Sequence, residues 1–171
     1  AVLKDCDIPA HVESNTGYFS SYEIQVILSM LRILDNPLQD IPMAAVLASP
    51  IVGMDDEELA QIRSAFKGVS FAQAALSAMA GENGYEDEKL KAFALVFERL
   101  RGAVADTPIH ELLDMMLDET GFYRYASAMP AGKRRRQNID MLIEMAAAYE
   151  KTSYKGLFHF VRYIDIQQKY E

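Results

Sequence analysis

Apolar side chains recur along this chain at helical spacing almost everywhere, and that period limits most tightly what the chain can fold into. Leu90, Phe93, Ala94, Phe97, Leu100 and Val104 form one stripe, and Ile109, Leu112, Leu113, Met116 and Leu117 form another. Ile139, Leu142, Ile143, Ala146 and Tyr149 form a third, and Leu157, Phe160, Val161 and Ile164 a fourth. A repeat near 3.6 residues gathers such side chains on one helix face, where they pack against neighbours. Strict alternation, the mark of a half-buried strand, is lacking except at Ile8 to Val12, which reads as extended. The expectation is an all-α chain: a compact multi-helix domain of about eight helices with little or no sheet.

Local punctuation agrees. Asp55 with Glu58, and Ser70 with Gln73, have capping-box spacing. Thr107 before Pro108 reads as a cap with proline in the first helical position. Gly68, Gly81 and Gly121 stand where helices stop. These signals place helices near 20–35, 41–48, 55–66, 70–80, 86–105, 108–119, 133–150 and 155–169, with Gly81 to Tyr85 as a flexible internal loop. The helix from Ser20 to Asp35 is apolar nearly all round, which marks it as a covered, central spine.

The 171 residues suit one domain spanning 1–171, long enough to bury a core. No apolar run approaches the roughly 20 residues that span a bilayer, and no secretory signal opens the chain. Cys6 is the one cysteine, so a disulfide framework is excluded. The first residue is Ala1, as expected of a processed start or of a segment of a longer protein. The net charge of −8 removes any whole-surface attraction for nucleic acid, so contact with DNA must rely on a local patch or on backbone amides.

Catalytic signatures are missing. A phosphate-binding P-loop ends in Gly-Lys-Ser/Thr, but the one Gly-Lys pair, Gly132-Lys133, is followed by Arg134, and the fifth residue before Gly132 is Ser127. His110 and Glu111 lack the second histidine of a zinc helix, since residue 114 is Asp. They read as a charged helix face. His11 has no partner at useful spacing, and His159, among Phe158, Phe160 and Tyr163, reads as a core or boundary residue. Asp55, Asp56, Glu57 and Glu58 fit a solvated helix start favoured by the dipole. The single basic cluster is Lys133-Arg134-Arg135-Arg136. It suits either phosphate or the carboxylates of this chain or of a neighbouring domain. No catalytic residue and no metal ligand is assigned.

Several stretches resemble the AddA-type helicase-nuclease family. They are Tyr18-Phe19, Glu23, the run Leu34-Asp35-Asn36-Pro37-Leu38-Gln39-Asp40-Ile41-Pro42, and Val46-Leu47-Ala48-Ser49-Pro50-Ile51-Val52-Gly53. Further on they are Gly132 to Asn138, Tyr149-Glu150, Thr152-Ser153 and Gly156-Leu157-Phe158. The likeness covers most of the chain and is weakest from about Phe66 to Asp106. The Asp-Asn-Pro element also resembles UvrD- and PcrA-like superfamily 1 helicases. The resemblance implies a helical accessory subdomain of the second motor domain, in a parent that unwinds and degrades DNA ends for recombinational repair. It implies ATP and magnesium sites elsewhere in that parent, an AddB-like partner and a cytoplasmic setting.

By the same resemblance, the turn of Ser49, Ile51, Val52 and Gly53 contacts duplex DNA through backbone amides at a helix start. Lys133, Arg134, Arg135 and Arg136 are the side-chain candidates. The turn lacks the basic residue and second glycine of its UvrD-like counterparts and is followed by four acids, so the chain alone is expected to bind duplex DNA weakly. The competing reading is a free-standing helical domain that binds a ligand or a protein, which predicts a large closed apolar pocket. A module taken from a larger machine predicts adjacent chain ends and a bare apolar patch.

Overall fold

The computed structural model describes residues 17–152 and 155–170. The extended reading of Ile8 to Val12, together with Cys6, His11, Ser153 and the positions of the chain ends, lies outside them. The described residues hold nine α-helices and no strand. In chain order they are α1 (Tyr22–Asp35), α2 (Asp40–Ala48), α3 (Asp56–Ala65), α4 (Phe71–Met79), α5 (Glu88–Ala103), α6 (Ile109–Thr120), α7 (Phe122–Ala128), α8 (Gly132–Tyr149) and α9 (Leu157–Lys169).

Helix α1 is the spine, as its all-round apolarity implied. Ten of its 14 residues are buried, and α2, α5, α8 and α9 pack around it. A four-residue link, 36–39, returns the chain antiparallel as α2. Asn36 fixes this turn by accepting from the Leu38 amide at 3.0 Å. Gln39 steadies it by donating to the Arg32 and Asn36 carbonyls at 3.1 Å each. Arg32 then ties α9 to the same end of α1, donating to Asp165 at 2.9 Å and to Gln168 at 3.1 Å. Both capping boxes form, on Asp55 and Glu58 and on Ser70 and Gln73.

Four details differ from the expectations. A ninth helix, α7, fills the gap after Gly121, because the left-handed residue that ends α6 also opens α7 (φ 67°). Pro108 is the residue before α6, not its first helical residue. Its ψ is 146°, and the Ile109 amide is satisfied by the Glu150 carboxylate instead of by Thr107. Residues 82–84 form a short 3-10 turn, with Asn83 at φ 54°. His159 is exposed, set edge-on to Phe158, so it is neither core nor boundary. His110 faces Glu150, Nδ1 to Oε2 at 2.5 Å, which links the start of α6 to the end of α8.

Candidate nucleic-acid interface

The structure brings both sequence-derived sites to one end of α1. Ser49 closes α2 and lines a groove with Tyr22, the first residue of α1. Arg135, in the first turns of α8, reaches Glu23 one residue on. Tyr125 of α7 lies at the same end. Burial and then Tyr125 push the Tyr22 hydroxyl above its usual pKa, and the Arg135 charge opposes them.

The turn at Ser49–Gly53 is closed by its own hydrogen bonds. Ser49 is 3% exposed, and its hydroxyl donates to the Val46 carbonyl at 2.7 Å while accepting from the Ile51 amide at 3.2 Å. The Ser49 carbonyl accepts from the Val52 amide at 3.1 Å and the Gly53 amide at 2.7 Å. The Met54 amide donates to Leu47, and the Asp55 amide to Glu58. Amides 51 to 55 are therefore all engaged within the chain. Ile51 and Val52 pack on the core, and Gly53, at φ 76°, makes the turn. Lys89 bridges the Gly53 carbonyl (2.9 Å) and Glu58 (2.7 Å), so the nearest cation is already neutralised. The phosphate mechanism inferred for this turn, free amides at a helix start, has no free amide donor from Ile51 to Asp55.

The start of α8 is built the other way. Ala131, at φ 59°, precedes the helix and offers no side-chain cap. The Arg135 amide donates to Ala131, and no side chain of the cap residue engages the amides before it. Gly132 is required by close approach: a Cβ there would lie 2.0 Å from the Ser127 carbonyl oxygen of α7.

The four cations divide. Arg135 shares the buried stripe of Ile139, Leu142 and Ala146, so it turns inward. It meets Glu23 at 2.5 Å and donates to the Pro130 carbonyl at 2.9 Å. Glu23 is 2% exposed, and its other oxygen accepts from Asn138 at 2.6 Å. Asn138 in turn presents its carbonyl to the Tyr18 hydroxyl at 2.9 Å. Lys133, Arg134 and Arg136 are exposed and form no ion pair among the described residues. Sequence reasoning missed the Glu23–Arg135–Asn138 clamp. Its signal was present, because Glu23 and Arg135 each fall in register with an apolar stripe.

Gly132-Lys133 follows a helix instead of a strand, and no three metal-binding side chains among the described residues converge. Four concavities formed by the described residues are open grooves. No described helix is long and apolar enough to cross a membrane.

No protein-family profile matches the chain. Curated proteins do. The A subunit of the ATP-dependent helicase/nuclease of Anoxybacillus flavithermus is 42% identical over 161 residues, covering 93% of this chain but 13% of that protein. Proteins of the same name from Bacillus cytotoxicus and Bacillus velezensis are 41% and 38% identical over 95% and 98% of the chain. The chain spans 13–14% of the length of these relatives. Over nearly its whole length, the chain is homologous to one segment of the ATP-dependent helicase/nuclease A-subunit family.

Proposed function

We propose that this chain is a non-catalytic, all-helical accessory subdomain of an ATP-dependent DNA helicase-nuclease, and that it positions duplex DNA relative to the motor. The observation that carries this reading is the similarity, over nearly the whole of this chain, to a small segment of much longer helicase/nuclease proteins. In this reading ATP and magnesium are handled by other parts of the parent chain. The parent acts in the cytoplasm with an AddB-like partner, preparing double-strand ends for recombinational repair.

The duplex contact is assigned to the open start of α8. Three cations there without an ion pair among the described residues, at a helix start without a side-chain cap, offer a phosphate both charge and directed donors. The turn at Ser49, Ile51, Val52 and Gly53 lies at the same end of α1 and contributes shape more than hydrogen bonds. In an acidic chain three cations give weak, strongly salt-dependent binding, and the motor must supply the rest.

The test is binding of a forked duplex, followed by fluorescence anisotropy across a salt series, with and without Lys133→Ala, Arg134→Ala and Arg136→Ala together. The reading expects both affinity and salt slope to fall. An unchanged slope removes the phosphate contact, and ATP hydrolysis by the purified chain removes the non-catalytic assignment.

A further inference from the structure

Two tyrosines, far apart in sequence, converge where α8 begins. Tyr22 opens α1 and is 44% exposed, and Tyr125 lies on α7 and is 46% exposed. Tyr22 immediately precedes Glu23, which Arg135 and Asn138 of α8 hold. Residues 129–131 alone separate α7 from α8, and the Ser127 carbonyl lies against Gly132. Burial first, and then Tyr125, raises the pKa of the Tyr22 hydroxyl, while Arg135 lowers it, so the three groups share one neighbourhood.

Both rings are backed by the fold. Tyr125 stacks on Phe122, with centroids 6.2 Å apart and planes 16° from parallel, and Phe122 is 1% exposed. Tyr22 lines a groove with Val26 and Ser49. Tyr18 and Tyr123, close by in sequence, are tied down by their hydroxyls, to the Asn138 carbonyl at 2.9 Å and to Asp140 at 3.1 Å. A ring already ordered loses little rotamer freedom when it binds, and its π face accepts any base. Arg134 and Arg136 flank Arg135 at a Cα spacing of about 3.8 Å. With Lys133 they are exposed and form no ion pair among the described residues. Positive charge beside exposed rings complements a strand that carries both phosphates and uncovered bases. A fully paired duplex hides its base faces inside the stack, so it satisfies the cations but not the rings.

We propose that Tyr22 and Tyr125 form a stacking platform for unpaired bases of DNA, beside the phosphate contacts of Lys133, Arg134 and Arg136. The proposal rests on the DNA-positioning reading and sharpens it, because the strand held here is one leaving the duplex at a fork or a frayed end. The cations hold its backbone and the rings hold its bases, a division common in single-strand sites. Such a contact tolerates any sequence, since every base has a π face. It also marks the point where pairing ends, because duplex without unpaired bases engages the cations alone.

The test compares two forked duplexes by fluorescence anisotropy at low salt, using the 171-residue chain. One fork carries ordinary unpaired arms. In the other every arm nucleotide is abasic, so the phosphates remain and the bases are gone. The chain is expected to bind the first at least about fivefold more tightly. It holds 9 tyrosines and no tryptophan, so its tyrosine emission reports stacking and should fall on the first fork alone. Tyr22→Leu with Tyr125→Leu should remove the preference, and Tyr22→Phe with Tyr125→Phe should keep it. Fully paired duplex should bind all three proteins alike within about twofold. Equal affinity of the parent chain for the two forks overturns the proposal, as does a leucine variant that keeps the preference. The fork comparison needs no substitution, so it decides the matter even if the leucine variant fails to fold. If the platform alone is wrong, the forks bind equally while the Lys133, Arg134 and Arg136 variant still loses affinity. If the DNA reading is wrong, neither fork binds measurably, and both fall.

Discussion

Helices α3 and α8 open toward the same end of α1, yet they are prepared for opposite neighbours. The α3 start is acidic, closed by a capping box, and preceded by a turn whose amides 51 to 55 all have internal acceptors. The α8 start is basic and has no side-chain cap. Acids at an N-terminus favour the helix dipole and cations oppose it. Helix α3 therefore caps its own start with charges that suit its dipole, while α8 carries an unfavourable charge that an anion would relieve. Local resemblance pointed to the first start as much as to the second. Hydrogen-bond satisfaction separates them.

Experiments that could break this contrast begin with the clamp. Arg135→Ala leaves the buried Glu23 carboxylate without its cation and should cost about 3 kcal/mol in urea unfolding. Among the folded molecules its DNA affinity should change less than about threefold, because Arg135 faces inward; a loss as large as that of its neighbours would reunite the four cations. Replacing Lys133, Arg134 and Arg136 together by alanine should weaken forked-duplex binding by roughly 10- to 100-fold at low salt. It should also reduce the salt slope by roughly 0.9 for each phosphate no longer neutralised, while stability stays within about 0.5 kcal/mol.

Gly132→Ala drives a methyl group into the Ser127 carbonyl and should destabilise by about 2 kcal/mol, read as a lower denaturant midpoint. Asp55→Ala removes the α3 cap and should cost about 1 kcal/mol, with DNA affinity unchanged within about twofold. A larger change in binding would return the Ser49–Gly53 turn to the interface.

The smallest effect concerns pH. The Lys89 hydrogen bond, and then the Asp55 amide, hold Glu58 below its usual pKa. That contribution is present at neutral pH and is lost as pH falls through the lowered value. Lys89 is raised, chiefly by its hydrogen bond to Glu58, so its share is lost only as pH rises through the raised value. Thermal melts of Glu58→Gln should show both limbs flattened relative to the parent chain.

Much of the architecture could be read from periodicity, because most of the long helices bury one stripe. The spine was legible because a helix apolar all round has nowhere else to go. Helix α7 was not, because its seven residues hold just two buried positions, Phe122 and Ala126, too few to display a period. At the candidate interface, composition located the cations but not their directions. Four consecutive basic residues look equivalent in a sequence, and on a helix they point about 100° apart. Whether an amide is free is likewise decided by neighbours as distant as Lys89 and Glu58, which no local pattern reports.

The Glu23–Arg135 clamp has a mechanical consequence. Arg134 and Arg136 each adjoin a side chain anchored in the interior, so a pull on either passes within one residue to the first turn of α1. From Glu23 that helix runs about 14 Å to Arg32 and the α9 bridge. If the proposed duplex contact forms there, a tug on Arg134 or Arg136 would travel down a stiff rod to the α9 bridge, with no slack loop between.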